Sequence, residues 1–396
     1  MKRNIILVAI ASISIVSATE AQNTTNVPTS MYGLGELSMG DGGKYSGLGN
    51  VAIGLRKNGL MNSQNPACIT GMDSTGLVFD IGMVASYSKY SMLGKTSTAF
   101  TGNLNRFSMG IRLLPKWYTM VGVAPYTSVG YLISVDQEIE GTANSYITSS
   151  FEGTGGLYRF YLSNAFLLNK RLSLGVNIGF ISGMIEQSET DEGVVVNRES
   201  KKSTFYSDFG LHYALSKKWS MGLVYGLSSK LKQKNRLTYD NSSEDTDIET
   251  YYHNEKQYIP QRIGLGVTYD NNKITLSGDY NWIQWSRNSS SVSSYDYIDQ
   301  HKFNVGMIYN KNPERRSIEY MCGIGISNSY ITFKKEKMNY LNLNAGIAIP
   351  FMQSTVSMGV SWKQQLNTKA NLMQENQLSL NFNMTFGERI QRGKIN

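Results

Sequence analysis

Past its opening residues the chain has no run of about eighteen apolar residues, so no segment reads as a membrane-spanning helix. Mean hydropathy is slightly negative. Neither fact excludes a β-barrel, whose lipid-facing and lumen-facing residues alternate and cancel in such averages. The cysteines number only 2, Cys68 and Cys322. An exported protein could bridge them. However, Cys322 alternates in phase with Ile318, Tyr320, Ile324 and Ile326, an apolar face, while Cys68 lies in a segment of different character. No bridge is expected. The 3 histidines, His212, His253 and His301, lie far apart without metal-ligand neighbours and read as surface or rim residues. The GxSxG, HExxH and GxxxxGK[ST] patterns are absent, as is an EF-hand. Acidic residues cluster at 186–192 and 244–249, where calcium is a weak alternative. No metal, cofactor or enzymatic activity is therefore expected.

The amino terminus sets the compartment. Lys2 and Arg3 precede an apolar stretch from Ile5 to Val16, followed by small residues up to Ala18 and Ala21. This order of charge, apolar run and small residues is that of a secretory signal peptide over residues 1–21. A buried first strand is the alternative. The net charge of +8 raises a nucleic-acid reading. Yet the positive residues form no interleaved aromatic stripe. Lys116, Lys170, Arg171, Lys217, Lys218, Lys273, Lys311, Arg315 and Arg316 sit in short predicted turns. One charged rim of a barrel, or simply solvated turns, accounts for them, and no nucleic acid is expected.

With 38 glycines, 25 tyrosines and 7 prolines, the mature chain suits strands with one wet face. Leu172, Leu174, Val176, Ile178 and Phe180 alternate with Ser173, Gly175, Asn177 and Gly179. The same period of two recurs in 262–269, 274–282 and 378–386, where Asp279 falls on the polar face. About fourteen such segments fill 76–387. Tight turns alternate with longer polar connections at 135–152, 189–200, 235–256 and 287–298, expected to be external loops. Trp117, Tyr118, Trp219, Trp282, Trp285 and Trp362 fall near strand ends, as interfacial girdles require. The expected fold is all-β: a transmembrane antiparallel β-barrel of about fourteen strands with an N-terminal luminal plug, in the cell outer membrane.

Residues 22–75 do not alternate. They are rich in glycine, including Gly47 and Gly49. A disordered tail would carry more charge, and a separate domain would be longer. A plug folded into the lumen is preferred, since glycine permits close backbone approach. Residues 388–396 are expected to form a short periplasmic tail.

Three stretches carry a resemblance to a known family. One runs from Tyr45 to Gly54 and on to Asn65, Pro66 and Ala67. The second runs from Ile259 to Val267, then Asp279 to Trp282, Trp285 and Ser286. The third runs from Leu372 to Asn376 and on to Phe386 and Arg389. Together they resemble the FadL family of outer-membrane transporters for long-chain fatty acids and other hydrophobic compounds, in its Bacteroidetes branch. Cys68 stands where that family usually has glycine after Asn-Pro-Ala. The resemblance implies passive uptake of hydrophobic small molecules, with a plug that rearranges around Asn65, Pro66, Ala67, Gly47 and Gly49. Expected partners are a hydrophobic ligand and outer-membrane lipid. The alternative is a non-transporting barrel subunit of an outer-membrane secretion or protein-assembly complex.

Overall fold

A computed structural model of the chain describes residues 27–38, 43–57, 60–72, 76–92, 94–138, 146–191, 194–241, 244–252, 256–289, 295–313, 316–333, 335–352, 354–366 and 373–389. The expected signal peptide, His253 and most of the expected tail lie outside these residues.

Fourteen antiparallel strands close into a barrel. In chain order they are β1 (Gly76–Met92), β2 (Lys95–Leu114), β3 (Trp117–Glu138), β4 (Tyr146–Leu167), β5 (Leu172–Asp191) and β6 (Val194–Ala214). Then comes β7, made of Trp219–Gly226 and Lys232–Asn241, and β8, made of Glu244–Tyr252 and Arg262–Asp270. The remainder are β9 (Ile274–Ile283), β10 (Gln300–Asn310), β11 (Glu319–Phe333), β12 (Glu336–Phe351), β13 (Ser354–Gln365) and β14 (Gln374–Arg389). Closure runs from Gly76 paired with Arg389 to Ser91 paired with Gln374. The last strand thus extends to Arg389, into the segment expected to be a tail.

The alternation read in the sequence is the inside–outside alternation of the wall. On β14, Leu378, Leu380 and Phe382 face outward while Ser379 and Asn383 are buried inward. On β9, Thr275, Ser277, Asp279 and Asn281 are buried and Leu276 is exposed. Large apolar side chains are exposed on strand after strand, among them Phe160, Phe209, Val305, Ile324 and Val360. Burying such a side chain is worth about 1.5–3 kcal/mol. A continuous outward belt of them is therefore stable only against hydrocarbon. Cys322 is exposed on this face, and Cys68 is buried, both as free thiols.

Side-chain acceptors set the tight turns. Asn169 Oδ1 accepts the N–H groups of Arg171 and Leu172, and Ser216 Oγ those of Lys218 and Trp219. Asn271 Oδ1 accepts from Lys273 and Ile274, next to Asn272 at φ 69°. Strand alternation puts all these basic turns at one end, where β1 begins and β14 finishes. Trp117 stacks on Phe166 and Trp219 tilts against Tyr269 at this end, forming an aromatic girdle.

At the other end the structure departs from the expected loops. The described residues of 189–200 continue a ladder, in which Gln187 pairs with Arg198 and Asp191 with Val194. Residues 235–241 and 244–252 likewise continue a hairpin, with Asn235 paired with Tyr252. Parts of 135–152 and 287–298 are also strand. Where both faces meet water the apolar period disappears, but the backbone ladder propagates from the strands below. Two aromatics also differ from the girdle reading. Tyr118 points inward, and Trp285 is only 1 % exposed, inside the barrel beside Tyr330.

Candidate functional site

The lumen holds residues 27–38, 43–57 and 60–72 as a plug containing three short 3₁₀ turns, Pro28–Met31, Gly43–Leu48 and Pro66–Gly71. Asn65 caps the last of these. Its Oδ1 accepts the Ala67 N–H at 3.0 Å, and Pro66 supplies a fixed φ at the first position. Asn65 Nδ2 also donates to the carbonyl oxygens of Ile53 at 2.7 Å and Leu211 at 3.2 Å, joining two plug strands of chain to β6. Asn65, Pro66 and Ala67 are all buried.

The wall makes room for them with glycine. A Cβ at Gly175 of β5 would run into Ala67 N and Pro66 C, and one at Gly210 of β6 into Asn65 Oδ1. Gly47 and Gly49 lie against a different wall. A Cβ on Gly47 would stand 2.9 Å from Gly346 Cα of β12, and Gly49, at φ 72°, packs on Gly323 of β11. The five residues singled out from sequence thus mark two separate plug–wall contacts.

Charged anchors on the wall hold the plug as well. Asp279 Oδ2 of β9 accepts the N–H groups of Ala52 at 2.6 Å and Ile53 at 2.8 Å. Arg106 of β2 donates from Nη2 to Met61 O at 2.8 Å, while its Nε lies 3.3 Å from Asp80 of β1. Asn383 and Thr385 of β14 also donate to Asp80. Lys363 of β13 lies 2.8 Å from Glu375 and 3.3 Å from Glu36 of the plug, over the Tyr340 ring. Lys57 of the plug lies 3.8 Å from Glu319 of β11. Breaking a buried ion pair from one side costs about 3–5 kcal/mol, because a charge is left uncompensated. These anchors therefore make plug and wall one body.

His212 is a correction to the sequence reading. It is buried on the inner face of β6 and faces the plug floor rather than a rim, because an inward position next to Gly54 and Arg56 has no access to water. His301 is exposed, with Nδ1 2.9 Å from the Tyr280 hydroxyl. Burial pushes the Cys68 thiol far above its ordinary range, which removes its nucleophilicity. Among the described residues no group of three His, Cys, Asp or Glu could hold a metal ion. The side chains of 244–249 lie outside that statement.

Beyond the plug lies a cavity of about 290 Å³. Ile181, Ile259, Ile283, Trp285, Ile331 and Met338 make one part of its lining. Arg159, Asp208, Arg262, Lys302, Glu36 and Lys363 make another. Arg262 lies 3.5 Å from Asp208 and donates to Gln64 O at 3.3 Å, so the cavity floor is the top of the plug. Lys302 has no carboxylate partner among the described residues. The site can therefore bury an apolar body and present a cation to one end of it. Sequence reasoning missed the anchors because each is a lone charge on a polar face. An acidic or basic residue at an inward strand position, as at Asp279, was the available signal.

The fold is shared with solved transporters and channels at low sequence identity. The toluene transporter TodX of Pseudomonas putida superposes with a TM-score of 0.64 at 12% identity, covering 90% of this chain and 100% of that one. A Pseudomonas aeruginosa FadL homologue gives 0.61 at 12%, over 87% and 98%. The CymD monoaromatic hydrocarbon channel gives 0.59 at 14%, over 89% and 99%. At such identities the likeness is one of fold. No curated protein matches the sequence. The sequence matches one family along its whole length, residues 1–396, and the chain therefore belongs to the BamG family.

Proposed function

We propose that this protein is an outer-membrane barrel that passively admits a small hydrophobic or amphipathic molecule to the cavity above its plug. The carrying observation is that cavity: an aliphatic and aromatic wall facing Lys302, which has no carboxylate partner among the described residues. The folds of the hydrocarbon and toluene channels support the reading. An apolar tail against Ile181, Ile283 and Trp285, with an anionic head at Lys302, describes a fatty-acid-like ligand. Binding needs no energy source, and neither cofactor nor catalysis enters. The similarity noted in the sequence to the Bacteroidetes branch of the FadL family agrees with this assignment.

Passage onward requires the plug to move. Asn65 would have to release Ile53 and Leu211, so the 50–72 segment would shift as a unit, hinged where Gly47 and Gly49 meet β11 and β12. The test is native mass spectrometry on protein extracted gently from its own membrane, followed by binding of the recovered molecule to wild type and to Lys302→Met. A co-purifying hydrophobe supports uptake. An empty barrel with stoichiometric protein partners overturns it.

A second reading has its own support. The plug is pinned by Arg106, Asp279 and Lys363, and the match to BamG spans the chain. A filled, rigid lumen suits a non-transporting barrel subunit of an outer-membrane secretion or protein-assembly complex. The same experiment separates the two.

A further inference from the structure

The cavity above the plug is lined by more than an apolar wall and a cation. Gln300 and Lys302 come from one face of β10, two residues apart and so roughly 6.6 Å apart along the strand. Gln300 pairs with Ile283 of β9, and Lys302 with Asn281. β10 runs from Gln300 down to the basic turns, so Gln300 stands one row farther from the plug than Lys302. Trp285 follows Ile283, and Met338 stands near the outer start of β12. From the plug outward the order is cation, amide, apolar wall.

Gln300 is 6 % exposed, and its amide is held in one orientation. Its Nε2 donates to Asn328 O at 3.0 Å. Asn328 is itself fixed, since its Nδ2 donates to Asp299 O and its Oδ1 accepts the His301 N–H. Gln300 Oε1 is left as a buried acceptor to which no described group donates. Trp285 packs against Tyr297 and Tyr330, and its buried Nε1–H has no acceptor among the described residues. One acceptor and one donor, on two residues that line the same cavity, are thus unanswered by the protein. Buried polar groups are ordinarily hydrogen-bonded, so such a pair marks where another molecule supplies the bonds.

The chemistry of that molecule follows from both groups together. A plain acyl chain would seal Gln300 and Trp285 against methylene groups, which is unfavourable. A ketone accepts without donating, and an ammonium donates without accepting. A hydroxyl does both. With Lys302 one row below Gln300, the hydroxyl belongs a few bonds from the anionic end.

We infer that the cavity selects hydroxylated acyl acids, whose carboxylate meets Lys302 while a hydroxyl near it donates to Gln300 Oε1 and accepts the Trp285 Nε1–H. This rests on the uptake reading above and names its substrate class. Gln300 and Trp285 set the specificity, and hydrocarbons and unsubstituted acids are poorer ligands. A site built to bond a hydroxyl rejects the analogue that lacks it, because its own polar groups are then buried unpaired.

The test is calorimetric titration of the full-length protein in lipid nanodiscs with decanoate and with 3-hydroxydecanoate, against empty nanodiscs as the blank. The wild type should bind the hydroxy acid about tenfold more tightly or better. Gln300→Met and Trp285→Phe should each lose most of that preference. Trp285→Phe keeps an aromatic ring and deletes the N–H, so it reports on the bond even if Gln300→Met does not fold. Lys302→Met should weaken both acids and retain the preference. Equal affinity of the wild type for the two acids overturns the inference and leaves the uptake reading standing. Binding of neither acid overturns both. A preference that persists in Gln300→Met and Trp285→Phe alike shows that the hydroxyl is read elsewhere, and also overturns the inference.

Discussion

Arg106 reaches from the barrel wall to the plug and donates to the carbonyl oxygen of Met61 at 2.8 Å. The same guanidinium neutralises Asp80. Arg106→Met leaves a buried carboxylate uncompensated and should destabilise the protein by about 3–5 kcal/mol. The double variant Asp80→Asn with Arg106→Met should recover much of that loss. Thermal unfolding of the purified barrel in detergent checks both. A double variant as unstable as the single one would show that the pair is not the relevant unit.

Asp279 holds the plug turn through the Ala52 and Ile53 N–H groups. Asp279→Asn exchanges charge-assisted bonds for neutral ones, and Asp279→Leu removes them. Hydrogen bonds to charged groups contribute about 1.5–3 kcal/mol. The leucine variant should expose Lys57 to trypsin while the barrel stays closed. Limited proteolysis followed by mass analysis reads this directly.

Gly175 and Gly210 admit the Asn65–Ala67 turn. Gly210→Val should leave β6 paired with its neighbours but expel that turn. Conductance across planar bilayers should rise for the variant, since the lumen loses its floor. Unaltered conductance would mean that the turn is not what closes the pore.

Lys302 faces the cavity without a carboxylate partner among the described residues. Lys302→Met should weaken binding of a fatty-acid probe about tenfold, the equivalent of roughly 1.4 kcal/mol. A neutral aromatic probe should bind both proteins alike. Fluorescence titration of the two probes makes the comparison.

The wall was legible in the sequence wherever one face meets lipid and the other the lumen, as in Leu378–Phe386. It was illegible where both faces are wet, so 189–200 and 235–256 passed for loops. Arg106 escaped for a local reason. The register between β1 and β2 shifts where Met83 pairs with Leu104 and Gly82 with Arg106. Asn105 is the extra residue of that bulge, and it moves Arg106 to the inside beside outward Leu104 and Phe107. A strict period of two would put Arg106 and Leu104 on one face. The plug was recognisable from glycine and from Asn65-Pro66-Ala67. Its anchors were not, since Lys363 and Glu36 are neighbours only once the barrel has closed.

That last pair also sets an order of assembly. Glu36 and Lys363 stand 327 positions apart. The plug leaves the export machinery first, yet this one fastening lies on strands that arrive last. Arg106, Asp279 and the β3 edge can hold the plug earlier, but Glu36 has no cation until β13 and β14 join β1. Locking Glu36 and sealing the barrel are then one late event, slow because its contacts span almost the whole chain.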